Sequence, residues 1–401
     1  MKALILAAGV GANLVPFTTT RPKAMISVGG RYLLENTLLQ LRAAGVRDVI
    51  MVVGHRRERI TAYFERGARW GMAIDYLIQE SPRSIAQAVG LARERFEEGE
   101  YFLLAYADVV TDNNIYLQTL QTFASMGGAA AAVCHTPETG LYGNVYLGPE
   151  MRIDRLVEKP GMGERGNYVL AGAFVLPYRI LDYLEEGEME QGLSRLIAEE
   201  GLYASIWEGG WVDACYPWDI LRANRMVMDS WQSAELDRSV QLRGDVQLRG
   251  PVRVEEDVVV ESGTVMVGPC FIGRRSFVGN NVLIRPYTCV GPETTVGYGV
   301  ELKNCVLFGR AKVGRLSFVG DSVVGEDVEV GSGTMTINNY LDRSPILCRV
   351  NGQEIGTGLP KLGAFIGDGA RVGASNTLMA GTVIPAAGVI PHSYSHPRPE
   401  R

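Results

Sequence analysis

Three places in this chain put chemically capable residues directly after an apolar run: Gly9 to Lys23 after Leu4 to Ala8, Asp108 after Tyr101 to Tyr106, and the pair Glu158-Lys159. Glycines after a strand let backbone N–H groups approach an anion, and a lysine can balance its charge. Taken singly, each has a plainer account. Gly9 and Gly11 can end a strand for steric reasons, Lys23 after Pro22 can be a solvated loop lysine, and Asp108 can cap the following helix. Imidazole, the usual proton acceptor near neutral pH, is scarce: the four histidines are His55, His135, His392 and His396. None of them falls among the repeats described next.

The elements that must position these residues show two different periods. From residue 1 to about 225, short apolar runs alternate with segments of helical period, such as 31–44 before Val49 to Val53 and 84–97 before Tyr101 to Tyr106. That alternation predicts an α/β sheet with helices on its faces and ligands at the carboxyl ends of its strands. The second half steps by six: Ile272, Val278, Ile284, Val290, Val296 and Leu302, and again Ile366, Val372, Leu378, Ile384 and Ile390. Between them Val313 and Val319, then Val324 and Val330, keep the step with a one-residue slip. This is the hexapeptide repeat of a parallel β-helix, in which the aliphatic residue points inward. The glycine that commonly follows it, as in Ile272-Gly273, is expected to turn each corner at positive φ. The predicted division is 1–228 for the α/β domain, 229–249 for a linker, 250–392 for the β-helix and 393–401 for a tail. Trp218 to Asp237, of helical period, reads as the connector. Residues 335–361 lack the step and read as a loop or arm.

A formal net charge of -6 leaves no basic surplus for nucleic acid or an anionic membrane face. The run Leu4 to Ala8 is too short to span a bilayer. Six scattered cysteines without a CxxC pair predict buried, reduced thiols and a cytoplasmic setting.

The stretch LILAAGVGANLVPFTTTRPKAM, from Leu4, closely resembles the signature loop of sugar-1-phosphate nucleotidylyltransferases. Gln79 to Pro82 with Ala86-Gln87-Ala88 is similar to the base-binding segment of glucose-1-phosphate thymidylyltransferases. Tyr142-Gly143, Val157-Glu158-Lys159-Pro160, Ala171-Gly172 and Trp211-Val212-Asp213 are similar to their sugar- and metal-binding motifs. Over its whole length the chain most resembles archaeal-type bifunctional enzymes with an acetyltransferase tail, on Arg285-Pro286-Tyr287-Thr288 and Lys361 to Gly367. The resemblance implies a Rossmann-like (GT-A-like) nucleotidyltransferase domain followed by a left-handed parallel β-helix. It also implies a reaction in which a sugar-1-phosphate and a nucleoside triphosphate give a nucleotide sugar and pyrophosphate, with Mg²⁺. Lys23 and Lys159 would be catalytic, and Ala7, Ala8, Gly9, Gly11, Asn13, Gln79, Ser84 and Ile85 would bind the nucleotide. Tyr142, Gly143, Glu158, Lys159 and Gly172 would bind the sugar phosphate, and Asp108 and Asp213 the metal.

Departures from the family pattern fall in both halves. Asn13 stands where the loop has an arginine, Ser84 where a glycine meets the base, and Ala107 where a glycine precedes the metal aspartate. Losing one such phosphate donor typically costs on the order of 3–4 kcal/mol. Arg21 could swing in, although intact loops often carry an arginine there as well. In the β-helix, Arg315 replaces the histidine of the acetyltransferase, Glu329 replaces an asparagine, and the arm around Ser344 to Leu347 lacks the expected lysines. Two readings follow. One is a working but weakened nucleotidylyltransferase that has lost acetyl transfer. The alternative is a catalytically silent regulatory or sensor subunit binding a sugar phosphate, nucleotide or nucleotide sugar, working with an active paralogue. Either way the β-helix is expected to assemble the chain as a trimer or a dimer of trimers.

Overall fold

The computed structural model of the protein describes residues 1–81, 84–137, 139–158, 166–185 and 187–393. The chain falls into two units, one made of Met1–Val10, Pro22–Met25 and Leu33–Asp213, the other of Gly11–Arg21, Ile26–Tyr32 and Ala214–Arg401. The signature loop is thereby divided, with Gly9 and Lys23 in the first unit and the residues from Gly11 to Arg21 in the second.

In the first unit the apolar runs become a nine-stranded mixed sheet. Its order is Ile153–Glu158, Gly143–Leu147, Tyr168–Pro177, Tyr101–Tyr106, Ala3–Ala7, Asp48–Val53 and Ala73–Ile78. Ala130–Cys134 pairs with both Tyr168–Pro177 and Tyr203–Trp207. The four strands from Tyr101–Tyr106 to Ala73–Ile78 are parallel. Ala3–Ala7 and Asp48–Val53 are almost wholly buried, which is why they read as unbroken apolar runs rather than as alternation. One core runs through Leu4, Val52, Leu104, Phe174 and Leu193. Parallel pairing brings the carboxyl ends of the four strands to a common edge, where Ala8, Gln79 and Ala107 follow directly.

In the second unit the helix Asp219–Asp229 is followed by three parallel sheets of eight, eight and seven short strands, the arrangement of a parallel β-helix. Ile272, Val278, Ile284, Val290, Val296 and Leu302 are all fully buried in its core. The predicted slip is visible in the register: Cys270 pairs with Thr288, but the next coil pairs Cys289 with Val306, one residue short.

Two expectations need correction. The 229–249 stretch is not a bare linker. Glu235–Leu236, Gln241–Leu242 and Gln247–Arg249 each pair in parallel with the following coil, so the β-helix begins there. Nor do the glycines after the inward aliphatics turn corners at positive φ. Many corners are turned by Asp257, Arg275, Asn281, Glu293 and Asp327, all at positive φ without being glycine. Gly273, Gly291, Gly314 and Gly331 are absent from the positive-φ set, and a Cβ on any of them would come within 2.4–2.6 Å of backbone in the next coil. They are glycines because neighbouring coils approach too closely for a side chain. Residues 335–361, expected as an arm, keep one more coil strand at Met335–Thr336 before forming the hairpin of Leu347–Val350 with Gln353–Gly356.

Close approach and positive φ predict opposite orders of damage. Gly291→Ala would set a Cβ 2.5 Å from the Phe308 backbone, whereas Gly369 has φ +70 and open space around it. Overpacking costs roughly 1–3 kcal/mol, so Gly291→Ala should lower the melting temperature more than Gly369→Ala. Thermal unfolding that ranks them the other way would restore the corner explanation.

Candidate active site

Cation and carboxylates meet at the sheet edge. Asp108 follows Tyr101–Tyr106, and the antiparallel pair of Val109–Thr111 with Trp211–Asp213 sets Asp213 opposite Val109, hence beside Asp108. Lys23 opens a single turn, Lys23–Met25, in which the Met25 N–H donates to the Pro22 carbonyl at 2.9 Å. Its Nζ lies 2.5 Å from Asp108 Oδ2 and 3.2 Å from Asp213 Oδ1. The lysine side chain is 14% exposed and the carboxylates 27% and 17%, so the trio is only partly screened by water.

These residues border an open cleft of about 160 Å³, lined also by Ala7, Ala8, Gly9, Gln79, Ile85, Tyr106 and Ala107. A Cβ on Gly9 would meet nothing within 4 Å, so its backbone faces open space. Gln79 is held by donating from Nε2 to Gln87 Oε1 at 2.9 Å. Ser84 has a structural job: it caps the helix Ile85–Gly90, its Oγ accepting from the Gln87 N–H at 3.2 Å. Its backbone is extended, φ -150, and does not call for glycine.

A second cluster adjoins the carboxylates. Glu158 ends the strand Ile153–Glu158 opposite Gly143, where a Cβ would come 2.8 Å from its Oε2. Gly172 has φ +81, and a Cβ there would press on Val109 and Tyr106 at 3.0 and 3.1 Å. Tyr142 meets Trp211 edge-on at 5.2 Å, and the Trp211 Nε1–H donates to the Ala171 carbonyl at 3.0 Å. Tyr106 ties the two clusters together. Its hydroxyl pKa is pushed well above normal, by burial first and then by the charges of Asp108, Glu158 and Asp213. It therefore stays a neutral hydrogen-bonding group among three carboxylates. Sequence reasoning missed Tyr106, although an aromatic ending an otherwise apolar run before Ala107-Asp108 was a readable signal.

The structure thus brings Ala7, Ala8, Gly9, Lys23, Gln79, Ile85, Asp108 and Asp213 to one edge, with Tyr142, Gly143, Glu158 and Gly172 forming the cluster tied to it through Tyr106. Lys159 lies outside the described residues. Gly11 and Asn13 belong to the second unit. There Gly11 adopts the left-handed conformation, φ 66 and ψ 48, and its carbonyl accepts from Thr18 Oγ1 at 2.8 Å.

Arg21 is not a replacement for the missing loop arginine. Its side chain is 2% exposed, with Nη2 2.5 Å from Asp368 Oδ2 and 3.4 Å from Glu326 Oε2 and the guanidinium over the Phe308 ring at 4.5 Å. Breaking such a buried pair costs roughly 3–5 kcal/mol. One donor aimed at a phosphate returns about 3–4 kcal/mol, so withdrawal brings no net gain.

The altered acetyltransferase positions have structural roles or none. Arg315 is exposed, and Glu329 sits in a surface ladder between Lys312 and Arg371, at 3.1 and 3.6 Å. Asp321 is saturated by Lys303, Asn304 and Asn338. His392 ends the coils, with Nδ1 accepting from the Ala374 N–H at 2.8 Å. His396 lies outside the described residues. Cys134, Cys270, Cys289, Cys305 and Cys348 are buried, and burial pushes the thiols of Cys134, Cys270, Cys289 and Cys348 up to about 12. No helix among the described residues is long and apolar enough to cross a membrane.

Residues 2–230 match the model of the nucleotidyl transferase family, and residues 266–390 that of the GMPPB C-terminal domain. A bifunctional sugar-1-phosphate nucleotidylyltransferase/acetyltransferase of Sulfurisphaera tokodaii is 32% identical over 96% of this chain and 94% of its own. A bifunctional protein GlmU of Methanococcus maripaludis is 32% identical over 96% and 92%. Among solved structures, a UDP-glucose pyrophosphorylase complexed with UDP-glucose superposes with a TM-score of 0.52 at 19% identity, covering 56% of this chain and 96% of its own. A UTP-bound UGPase of Acinetobacter baumannii gives 0.50 at 21%, covering 56% and 91%. At those identities the likeness is one of fold.

Proposed function

From the premise that this chain belongs to the sugar-1-phosphate nucleotidylyltransferase family, we propose that it is a working member: it joins a nucleoside triphosphate to a sugar-1-phosphate. The observation that carries this reading is Lys23 set between Asp108 and Asp213 at the mouth of the cleft. A phosphate oxygen of the sugar-1-phosphate attacks the α-phosphorus in line. The bond from that phosphorus to the bridging oxygen of the β-phosphate breaks, and pyrophosphate leaves with the electron pair. Such a transfer needs positioning and charge stabilisation more than covalent help.

Each residue then has a task. The Gly9 backbone meets phosphate oxygens, Lys23 balances their charge, and Gln79 faces the base. Glu158 accepts from sugar hydroxyls, and Tyr106 donates between the two substrates. Asp108 and Asp213 would hold Mg²⁺. Their convergence on one ammonium fits a hard cation that takes one or two carboxylates and completes its shell with water and phosphates. When bound, the ion would neutralise charge building on the triphosphate oxygens. Support for a working rather than a silent protein comes from the retention of all three charged groups in one geometry.

A pyrophosphate-release assay across the common nucleoside triphosphates and sugar-1-phosphates should find at least one productive pair. Asp108→Asn should lose that rate by roughly 10²-fold or more; no productive pair in the unmodified protein would contradict the proposal. Acetyl transfer from acetyl-CoA to glucosamine-1-phosphate should not exceed a no-protein blank, since a guanidinium offers donors and no acceptor and Arg315 cannot be the base. Turnover above the blank would show that another group serves. The β-helix should hold the chain as a trimer or a dimer of trimers, because stacked coils present flat faces. Light scattering that reports a monomer at micromolar concentration would exclude that.

A further inference from the structure

The sugar-side carboxylate, Glu158, is carried by a strand with one open side. Ile153–Glu158 ends the nine-stranded sheet, paired with Gly143–Leu147, so its outer row of N–H groups faces away from the ladder. Both ends of that row are held. The Ile153 N–H donates to the Leu202 carbonyl at 2.8 Å, and the Glu158 N–H donates to Glu190 Oε1 at 3.1 Å. The first bond uses a main-chain carbonyl that any residue at position 202 would supply. The second requires a side-chain acceptor at position 190.

Glu190 is placed by its helix, Met189–Glu199. The helix opens with a capping box, in which Glu188 accepts from the Gln191 N–H and Gln191 Oε1 accepts from the Glu188 N–H at 3.1 Å. Met189, Leu193 and Leu196 are buried, and a Cβ on Gly192 would collide with the Leu184 side chain, so the helix lies close against Ile180–Leu184. This packing fixes the rotation of the first turn and leaves Glu190 half-buried at the end of the strand. Two constraints therefore meet at Glu158. Gly143 leaves room for its carboxylate, and Glu190 holds its backbone. A strand sets the direction of a side chain through its backbone, so a strand end that bonds only to water loses its aim.

We propose that Glu190 is a positioning residue for the sugar-phosphate side: its carboxylate clamps the end of the edge strand and so aims Glu158 at the sugar hydroxyls. It acts through Glu158 and does not itself touch substrate. The inference rests on the nucleotidyl-transfer reading for the task of Glu158, but the clamp can be measured without turnover.

Hydrogen exchange of the full chain, followed by mass spectrometry at residue resolution, reads the clamp directly. Glu190→Ala should speed exchange at the Glu158 amide roughly 10-fold, the worth of a bond to a charged acceptor, and leave the Ile153 amide as it was. Glu190→Gln keeps a side-chain oxygen at this place and should exchange nearly as the unmodified protein does. Neither variant should move the melting temperature by more than about 3 °C, because a first-turn acid contributes little to global stability. Kinetics with the productive substrate pair give the second reading. Glu190→Ala should raise KM for the sugar-1-phosphate roughly 10-fold and leave KM for the nucleoside triphosphate unchanged, and Glu190→Gln should recover most of the loss. A merely structural role would lower kcat through loss of folded protein and leave both KM values alone.

Unchanged exchange at Glu158 in Glu190→Ala would overturn the proposal. Faster exchange with an unaltered KM for the sugar-1-phosphate would also overturn it, and the transferase reading would stand. If the unmodified protein turns over no substrate pair, the transferase reading falls and calorimetric titration with glucose 1-phosphate and glucosamine 1-phosphate decides this one. Binding that Glu190→Ala weakens and Glu190→Gln restores would uphold the positioning role; no binding, or an affinity indifferent to Glu190→Ala, would sink it.

Discussion

Two ionised carboxylates repel one another in a partly desolvated spot unless a positive charge lies between them, and that constraint organises the site of the first unit. Asp108 and Asp213 are far apart in sequence and meet only because the short ladder of Val109–Thr111 with Trp211–Asp213 forces them together. Lys23 arrives from the far end of the signature loop and bonds to both. The same spot is therefore the place on the sheet edge where a hard cation and a phosphate chain would find complementary charge. Tyr106, neutral and half-buried beside three acids, extends that electrostatic centre toward Glu158.

A second constraint concerns the middle of the signature loop, which packs as part of the β-helix unit. Phe17 sits edge-on to Phe308 and Phe365, and Arg21 is buried against Asp368 and Phe308. The middle of the loop is in this way built into the coils. Glu329, read from sequence as a lost acetyltransferase group, has become part of a surface charge ladder.

The coil architecture was legible because each inward aliphatic repeats at a fixed step. The beginning of the β-helix was not. Leu236, Leu242 and Leu248 keep the same step as Val254 and Val260, but charged residues surround them and none of the three is buried, so the apolar repeat is weakest there. The glycine argument failed because φ is a local property, whereas the approach of the next coil is set by residues about one turn away. In the site, Lys23 and Asp108 were readable from their place after strands. The capping role of Ser84 needed only local geometry, but the burial of Arg21 depends on a partner 347 residues on and could not be read from a motif.

The central claim is that the charge trio of Lys23, Asp108 and Asp213 serves nucleotidyl transfer. It is tested most directly by following a mixture of protein, Mg²⁺, sugar-1-phosphate and nucleoside triphosphate by phosphorus-31 NMR, which identifies both products at once. The account predicts that the paired diphosphate signals of a nucleotide sugar grow in step with free pyrophosphate for the unmodified protein, and that neither appears with Asp213→Asn. Pyrophosphate or phosphate release without the nucleotide-sugar signals, or the same product formation by Asp213→Asn, would contradict it.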